Sequence, residues 1–334
     1  MKTLFAVDGG GSKTDAAVVR EDGALLGFAR GPLSHPHHIG VEPSADVLDA
    51  LAAEVGAAAA DLAVLLIAGL DFPDEEEAYR TEAQRRGWGK EIVVGNDTYA
   101  VLRAGTDRGW GVAVTCGAGI NCIGVAPDGT QSRFASLGAL SGDWGGAGDV
   151  GVAAVAAAAR SEDGRGAKTA LEQLVPRHFQ LTTPLELGRE LHGGRIPVRR
   201  LGELAPLVWA AAKTDRVAGE IVDRQATEVS AFVRAAVTRL GLLDEEVDVV
   251  LGGGLLQSGN RRLLEAIEAE LREVGPRLVV RVASSRPIVG AVLAGLDRLG
   301  SAPEAHVRAR KELDRATAAG GRASGETPAA ADGA

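Results

Sequence analysis

The residues of this chain that could do chemistry gather at glycines. An apolar run, Leu4-Phe5-Ala6-Val7, delivers Asp8 to Gly9, Gly10 and Gly11, and Ser12, Lys13 and Thr14 follow. Glycines let backbone N–H groups converge on an anion, because no Cβ blocks the approach. A lysine and two hydroxyls add charge and donors for phosphate oxygens. An acid beside such a turn suits a hydrated Mg²⁺. The pattern is not a Walker A loop, which runs Gly-Lys-Ser/Thr straight into a helix. Here Ser12 separates Gly11 from Lys13, and residues 15–20 read as strand. The plain alternative is a tight hairpin that binds nothing. Four further stretches deserve the same question: Asn96-Asp97; Gly117, Gly119 and Asn121; Gly138 with Asp143; and Gly252-Gly253-Gly254. An aspartate such as Asp97, after a short apolar run and before a helix, can serve as a general base or simply as an N-cap.

These residues need strands to carry them. Residues 3–31 read as strand, Gly-rich turn, strand, Asp22-Gly23 turn, strand, and Asp-Gly between apolar runs is a strong hairpin signal. Val47, Leu48, Leu51 and Val55 then repeat at helical spacing. Leu62 to Ala68 is a continuous apolar run, as in a strand covered on both faces. Residues 74–87 read as a charged surface helix, and Glu91 to Gly95 as a short strand with Asn96-Asp97 at its C-terminal end, the edge where α/β sheets place ligand chemistry. From Gly111 the order restarts: strand to Cys116, Gly-rich turn, strand from Ile120 to Ala126, Asp128-Gly129 turn, strand from Gln131 to Leu137. This copy of residues 3–31 implies an internal duplication of two α/β halves, with a cleft expected between them. Residues 161–215 read as helices and loops inserted in the second half. A long helix over 216–240, a buried strand over 247–251, helices near 263–274 and 288–296 and a strand over 278–282 complete it. The expected division is 1–108 and 109–302, with a disordered tail over 303–334.

Composition sets the frame. The 334 residues favour two domains, and 46% hydrophobic with 24% charged residues is ordinary for a soluble globular chain. A net charge of −9 argues against nucleic acid and against an anionic membrane surface. Neither a signal peptide nor a transmembrane run is visible, so cytoplasmic residence is expected. Cys116 and Cys122 make neither a disulfide framework nor a zinc site.

Taken in order, Asp8 to Thr14, Asn96-Asp97, Thr115 to Cys122, Gly142-Asp143 and Gly252 to Gly254 resemble the actin, heat-shock ATPase and sugar kinase superfamily. Within it, residues 1 to about 300 are similar to the BadF/BadG/BcrA/BcrD-type ATPases that include N-acetylglucosamine kinases. The resemblance implies duplicated actin-like (ribonuclease H-like) ATPase domains and an ATP- and Mg²⁺-dependent kinase of N-acetylglucosamine or a related amino sugar. It assigns the β- and γ-phosphates to Gly9 to Thr14, a water-mediated Mg²⁺ contact to Asp8, and further phosphate contacts to Gly117, Gly119 and Asn121. It places adenosine against Gly252 to Gly254, the catalytic acid at Asp97, and the sugar near Ser34, His35, Asn96, Gly138 and Asp143. A homodimer is expected.

The departures are specific. Relatives carry an asparagine where this chain reads Ser34-His35-Pro36-His37-His38, a threonine at Ala118, and an acid at Trp144. The three histidines could bind a metal or simply line a polar loop; Trp144 could stack on a sugar or pack. Family members that activate radical dehydratases share an iron–sulfur cluster between subunits. Cys116 and Cys122 flank a phosphate hairpin and do not suit that role. Glucosamine kinase and a non-catalytic ATP-binding switch are the remaining alternatives.

Overall fold

The structure, a computed structural model, describes residues 1–57 and 60–320. The chain forms two compact units: Met1–Leu70, Asp74–Ala100 and the chain from Ser285 onward make the first, and Asp71–Pro73 with Val101–Ser284 make the second.

In the first unit β1 (Thr3–Gly9), β2 (Thr14–Arg20) and β3 (Leu25–Gly31) form an antiparallel meander. The helices α1 (Pro36–Ile39) and α2 (Val41–Val55) follow. Two strands, β4 (Ala60–Ile67) and β5 (Gly89–Gly95), run parallel to β1, with α3 (Pro73–Arg86) between them; α4 (Thr98–Gly105) follows, its residues from Val101 onward counted in the second unit. The sheet order is β3-β2-β1-β4-β5. Alternate residues of a strand face opposite ways. Phe5, Val7, Leu65 and Ile67 accordingly pack on Leu48, Leu51 and Tyr79 of α2 and α3, while Leu4, Ala6, Leu62 and Val64 meet helices from the end of the chain. Burial on both faces explains the unbroken apolar run in β4.

The second unit repeats the design. Its strands are β6 (Gly111–Cys116), β7 (Ile120–Val125), β8 (Gln131–Arg133), β9 (Val247–Gly252) and β10 (Leu278–Val282), in the order β10-β9-β6-β7-β8. Read from β8, this is the order of the first sheet, so the duplication inferred from sequence is present in the strands. The third strand stops short of its expected end at Leu137, because Ser136 takes a positive φ of 52° that no strand continues through. Around α5 (Ala147–Glu162) wrap α6 (Leu171–His178), α7 (Pro184–His192) and α8 (Ala205–Ala211). Leu171, Val175, Leu187, Leu204 and Val208 join Val150 and Ala154 in one core, so the inserted segment is helical and packed. Behind the sheet lie α9 (Arg216–Arg239) and α11 (Arg261–Val274), with the single turn α10 (Gly253–Leu256) between β9 and α11.

Two expectations need correction. The last buried helix, α12 (Pro287–Leu299), belongs with the first unit rather than the second. Its Ile288, Val292 and Leu296 cover Leu4 and Ala6, and Gly295 permits the approach, since a Cβ there would lie 2.4 Å from the Leu4 side chain. The segment 303–320 is not a disordered tail but α13 (Pro303–Gly320). Ala305, Ala309 and Leu313, spaced by four, bury against the same unit, and Glu312 accepts the backbone N–H of Leu25 at 2.8 Å. The rest of the expected tail, 321–334, lies outside the described residues. Among the described residues no helix is long and apolar enough to cross a membrane.

Candidate active site

In the first unit the C-terminal ends of β1, β4 and β5 share one sheet edge. Register sets Asp8 beside Leu66 and Leu66 beside Gly95, so Asp8 and Gly95 stand two strand spacings apart, about 10 Å. Asn96-Asp97 leave the sheet immediately after. Asn96 Oδ1 accepts the N–H of Thr98 at 2.9 Å and so fastens the start of α4. Asp97 is half-buried beside it. Asp8 is half-buried too, and its carboxylate makes no hydrogen bond within the described residues. Burial holds its pKa well above the ordinary carboxylate value, and the charges of Asp97 and Asp15 push the same way. Lys13 and Arg30 oppose them without prevailing. The ammonium of Lys13 has no ion-pair partner in the described structure, and burial lowers its pKa.

The turn between β1 and β2 has one polarity. Gly10 N–H bonds the Lys13 carbonyl at 2.9 Å, the Gly9 carbonyl accepts from Ala68 N–H at 2.7 Å, and the Gly10 carbonyl accepts from Ser34 N–H at 3.2 Å. The amides of Gly11 and Ser12 keep no partner in the described structure. Carbonyls bound inward and amides left unpaired make an anion-binding turn. Beyond it, His35 begins α1. It stacks on His38 at 4.1 Å and meets His37 edge-on at 5.6 Å, while His37 Nε2 lies 2.8 Å from Glu75. The buried Nδ1 of His35 finds no partner among the described residues, and burial lowers its pKa to about 4, so the ring is neutral near pH 7.

The second unit carries a matching turn. Gly117 N–H bonds the Gly119 carbonyl at 2.9 Å. The carbonyls of Gly117 and Ala118 accept from Ala147 N–H and Gly148 N–H, the first amides of α5, at 2.9 and 3.2 Å. Gly146 is required there, because a Cβ would sit 2.3 Å from both the Ala118 carbonyl and Gly119. Amides of Ala118 and Gly119 remain unpaired. After β9 the three glycines separate in role. A Cβ on Gly252 would meet Val101 at 2.4 Å, and one on Gly253, at φ 82°, would meet the Cys116 carbonyl at 2.3 Å; Gly254 has open space. Gly138 (φ 60°) and Gly142 (φ 80°) shape the loop that holds Asp143, whose N–H bonds the Gly138 carbonyl at 2.9 Å and whose carboxylate accepts from Ser141 Oγ.

The sequence model of the BadF/BadG/BcrA/BcrD ATPase family matches residues 6–295. The chain belongs to that family. Among curated proteins it is similar to an N-acetylmuramic acid/N-acetylglucosamine kinase of Clostridium acetobutylicum, 28% identical over 268 residues, which are 78% of this chain and 87% of that one. It is also similar to an N-acetyl-D-glucosamine kinase of Dictyostelium discoideum, 24% identical over 319 residues, 89% of this chain and 98% of the other. Among solved structures it resembles a proposed N-acetylglucosamine kinase of Chromobacterium violaceum, with a TM-score of 0.69 at 25% identity over 88% of this chain and 98% of that one.

In this BadF/BadG-type ATPase the first unit gathers Asp8, Gly9 to Thr14, Ser34, His35, Asn96 and Asp97. The second gathers Gly117, Gly119, Asn121, Gly138, Asp143 and Gly252 to Gly254. Some of these side chains turn out to be engaged. Ser34, expected at the sugar, is fully buried under the first turn, where its Oγ accepts from Thr14 Oγ1 at 2.8 Å and a Gly9 Cβ would strike it. That bond also occupies the Thr14 hydroxyl, expected at phosphate. Asn121 gives its amide to Asp71 at 3.1 Å and accepts the Cys122 N–H at 2.7 Å. Trp144 packs on the core with the Arg224 guanidinium 4.1 Å over its ring. Among the described residues the three histidines form no group of three His, Cys, Asp or Glu placed to hold a metal ion.

Sequence reading missed the supports. Asp15 is buried and bound in a bidentate pair by Arg30 at 2.6 and 2.8 Å. The two sit opposite each other across β2 and β3, so the Asp22-Gly23 turn, once placed, was the available signal. Asp149 accepts the N–H groups of Gly145 and Gly146 at 3.1 and 3.0 Å, and Gln225 donates to the Gly145 carbonyl at 2.7 Å. Asp149 could have been read as an acid in a helix first turn; Gln225, eighty residues away, left no local signal.

Proposed function

We propose that this chain is an ATP-dependent amino-sugar kinase that transfers the γ-phosphoryl group of ATP to the 6-hydroxyl of N-acetylglucosamine or a close relative. The observation that carries the proposal is Asp97 on the sheet edge of Asp8, next to a turn whose free groups are amides and the Lys13 ammonium. The names of the similar proteins support the substrate class.

In this reading Asp97 accepts the proton of the sugar 6-hydroxyl as that oxygen bonds the γ-phosphorus, and the bond to the ADP oxygen breaks with its electron pair on ADP. The unpaired amides of Gly11, Ser12, Ala118 and Gly119, with Lys13, bind phosphate oxygens and stabilise their charge. Gly254 lies against the base, and His35, Asn96, Gly138 and Asp143 bind the sugar. Mg²⁺ fits Asp8: the carboxylate has no hydrogen-bond partner among the described residues and is repelled by Asp97 and Asp15, a situation a cation relieves. Mg²⁺ takes one or two carboxylates, waters and phosphates, so Asp8 need not belong to a larger ligand cluster. When bound it neutralises phosphate charge. The proposal also carries a homodimer and cytoplasmic residence; sedimentation of the purified chain tests the former.

The test is Asp97→Asn assayed with ATP against a panel of hexoses and hexosamines. A general base contributes about 10² to 10⁴ in rate, so kcat should fall by that factor while both KM values stay within several-fold. Asn caps a helix as well as Asp, so a mere cap would leave kcat intact. A kcat within about threefold of wild type removes the catalytic assignment, and turnover with glucosamine alone redirects the substrate.

A further inference from the structure

Arg286 stands at the N-cap of α12, half-buried, with its backbone extended at φ −71° and ψ 152° ahead of Pro287. Among the other half-buried arginines of the first unit, Arg20, Arg30, Arg80 and Arg86 each hold a carboxylate, and Arg310 Nη1 donates to Ser285 Oγ at 3.1 Å. Arg286 has no hydrogen-bond or ion-pair partner among the described residues. Its place is also a poor one for a cation that only packs. The N-terminus of a helix carries partial positive charge, and the first turn of α12 contains no acid to offset it.

The packing of α12 brings this residue to the first glycine turn. Gly295, in the second half of α12, lies against Leu4, near the start of β1. Ile288 and Val292, earlier in the helix, share a core with Leu4 and Ala6. From Gly295 back to Arg286 the helix axis covers about 13 Å. From Leu4 on to Asp8 the strand covers about 13 Å as well. A helix running the same way as β1 would carry its first turns past the start of the strand, away from Ala6. α12 therefore runs against β1, and Arg286 comes to the end where Asp8 and Gly9 open the turn. The charges agree. Burial is the main cause of the lowered Lys13 pKa, and the guanidinium groups of Arg30 and Arg286 add to it against Asp15 and Asp8. Arg30 is spent on Asp15, which leaves Lys13 and Arg286 as neighbouring cations with no anion between them in the described structure.

We propose that Arg286 is a phosphate-binding residue, whose guanidinium joins the Lys13 ammonium and the amides of Gly11 and Ser12 on the oxygens of the nucleotide's terminal phosphates. Two cations without a carboxylate, beside amides without a carbonyl, suit an anion of several charges, and a guanidinium offers phosphate a planar fork of donors. α13 has a part in this, since its Arg310 anchors Ser285, the residue before Arg286. The inference rests on the placing of phosphates at this turn in the kinase reading, and binding measurements separate the two. Mg-ATP and pyrophosphate are titrated calorimetrically into the full chain as wild type, Arg286→Met and Arg286→Lys, and each is melted without ligand. Arg286→Met should weaken both ligands about 10- to 100-fold, as loss of a hydrogen bond to a charged group does. Arg286→Lys, which keeps the charge and loses the fork, should bind both within about tenfold of wild type. The unliganded Tm of Arg286→Met should equal or exceed that of wild type, because a cation has left a helix N-terminus and the vicinity of Lys13. Unchanged affinity for both ligands overturns the inference. So does weaker binding joined to a Tm lower by more than about 5 °C, which would make Arg286 a structural residue. A raised KM for the amino sugar with ATP affinity intact overturns it too and moves Arg286 to the acceptor. Pyrophosphate carries neither base nor sugar, so its loss in Arg286→Met sustains the anion site even if no amino sugar is phosphorylated. Turnover by an Arg286→Met chain of undiminished ATP affinity leaves the kinase standing and the inference refuted.

Discussion

The Gly252-Gly253-Gly254 turn permits a sharp test, because its glycines have different reasons to be glycine. At Gly253 the backbone stands at φ 82°, and a Cβ would lie 2.3, 2.6 and 2.8 Å from the carbonyl oxygen, carbonyl carbon and nitrogen of Cys116. Those are backbone atoms of a central strand, and they cannot swing aside. The left-handed conformation costs an ordinary residue about 1–2 kcal/mol, and overpacking adds about 1–3 kcal/mol. Gly253→Ala should thus lose about 2–5 kcal/mol. At roughly 2–4 °C per kcal/mol for units of this size, its Tm should fall by about 5–20 °C. At Gly254 nothing lies within 4 Å of the added Cβ, and the residue sits in a helical turn, where Ala is intrinsically favoured. Gly254→Ala should leave Tm within about 2 °C and raise the KM for ATP about fivefold or more, as the methyl group crowds the base. Differential scanning fluorimetry without ligand and ATP titration of the kinase rate read the two effects separately. Equal Tm values for the two variants would refute the packing argument, and an unchanged KM in Gly254→Ala would remove the base from this turn.

Other expectations follow from the first unit. Asp8 has its folded pKa raised above 3.8, so its contribution to stability is full below that value and is lost as pH rises through the folded pKa. In that window wild type should lose up to about 1.4 kcal/mol per pH unit relative to Asp8→Asn, which should be more stable near pH 7 yet lose its response to Mg²⁺; thermal melts from pH 4 to 8 with and without Mg²⁺ check both. His35 has the opposite sign, since its pKa is lowered from 6.5 to about 4: stability is present above about 6.5 and is lost as pH falls toward 4, a slope that His35→Ala should abolish in the same melts. His35→Ala should also raise the sugar KM more than the ATP KM, by about fivefold for one hydrogen bond, and a change confined to ATP would detach α1 from the sugar.

Legibility in the sequence followed the range of the interactions. The two meanders announced themselves because each step is local: an apolar run, a Gly-rich turn, an Asp-Gly turn. The sheet orders that resulted are the same. Asp8 and Asp97 could be picked out as candidates for the same reason, since Asp8 lies near the end of β1 and Asp97 just past the end of β5. What could not be read was pairing across long separations. The burial of α12 and α13 against β1 and β3 joins residues almost three hundred positions apart, and composition after Ala302 resembles a solvated tail. Ser34 looked like a substrate residue because its partner, Thr14, becomes its neighbour only once β2 and β3 are paired.

The two glycine turns carry the same point into function. Both are closed by a backbone bond of 2.9 Å across the turn, and both have two carbonyls tied back and at least two amides without a partner among the described residues. The ties differ entirely. In the first unit Ala68, beyond the end of β4, and Ser34 in a loop donate; in the second the first turn of α5 donates, held by Asp149 and Gln225. A duplicated strand pattern preserved only for packing would have no reason to rebuild the polarity of its turn with unrelated donors. The residues that carry these amides are exposed, so water satisfies them in the free chain and they stay available to a ligand. Their recurrence with different scaffolding is what is expected if the amides themselves are the conserved requirement, and an anion with several oxygens is the ligand that satisfies them.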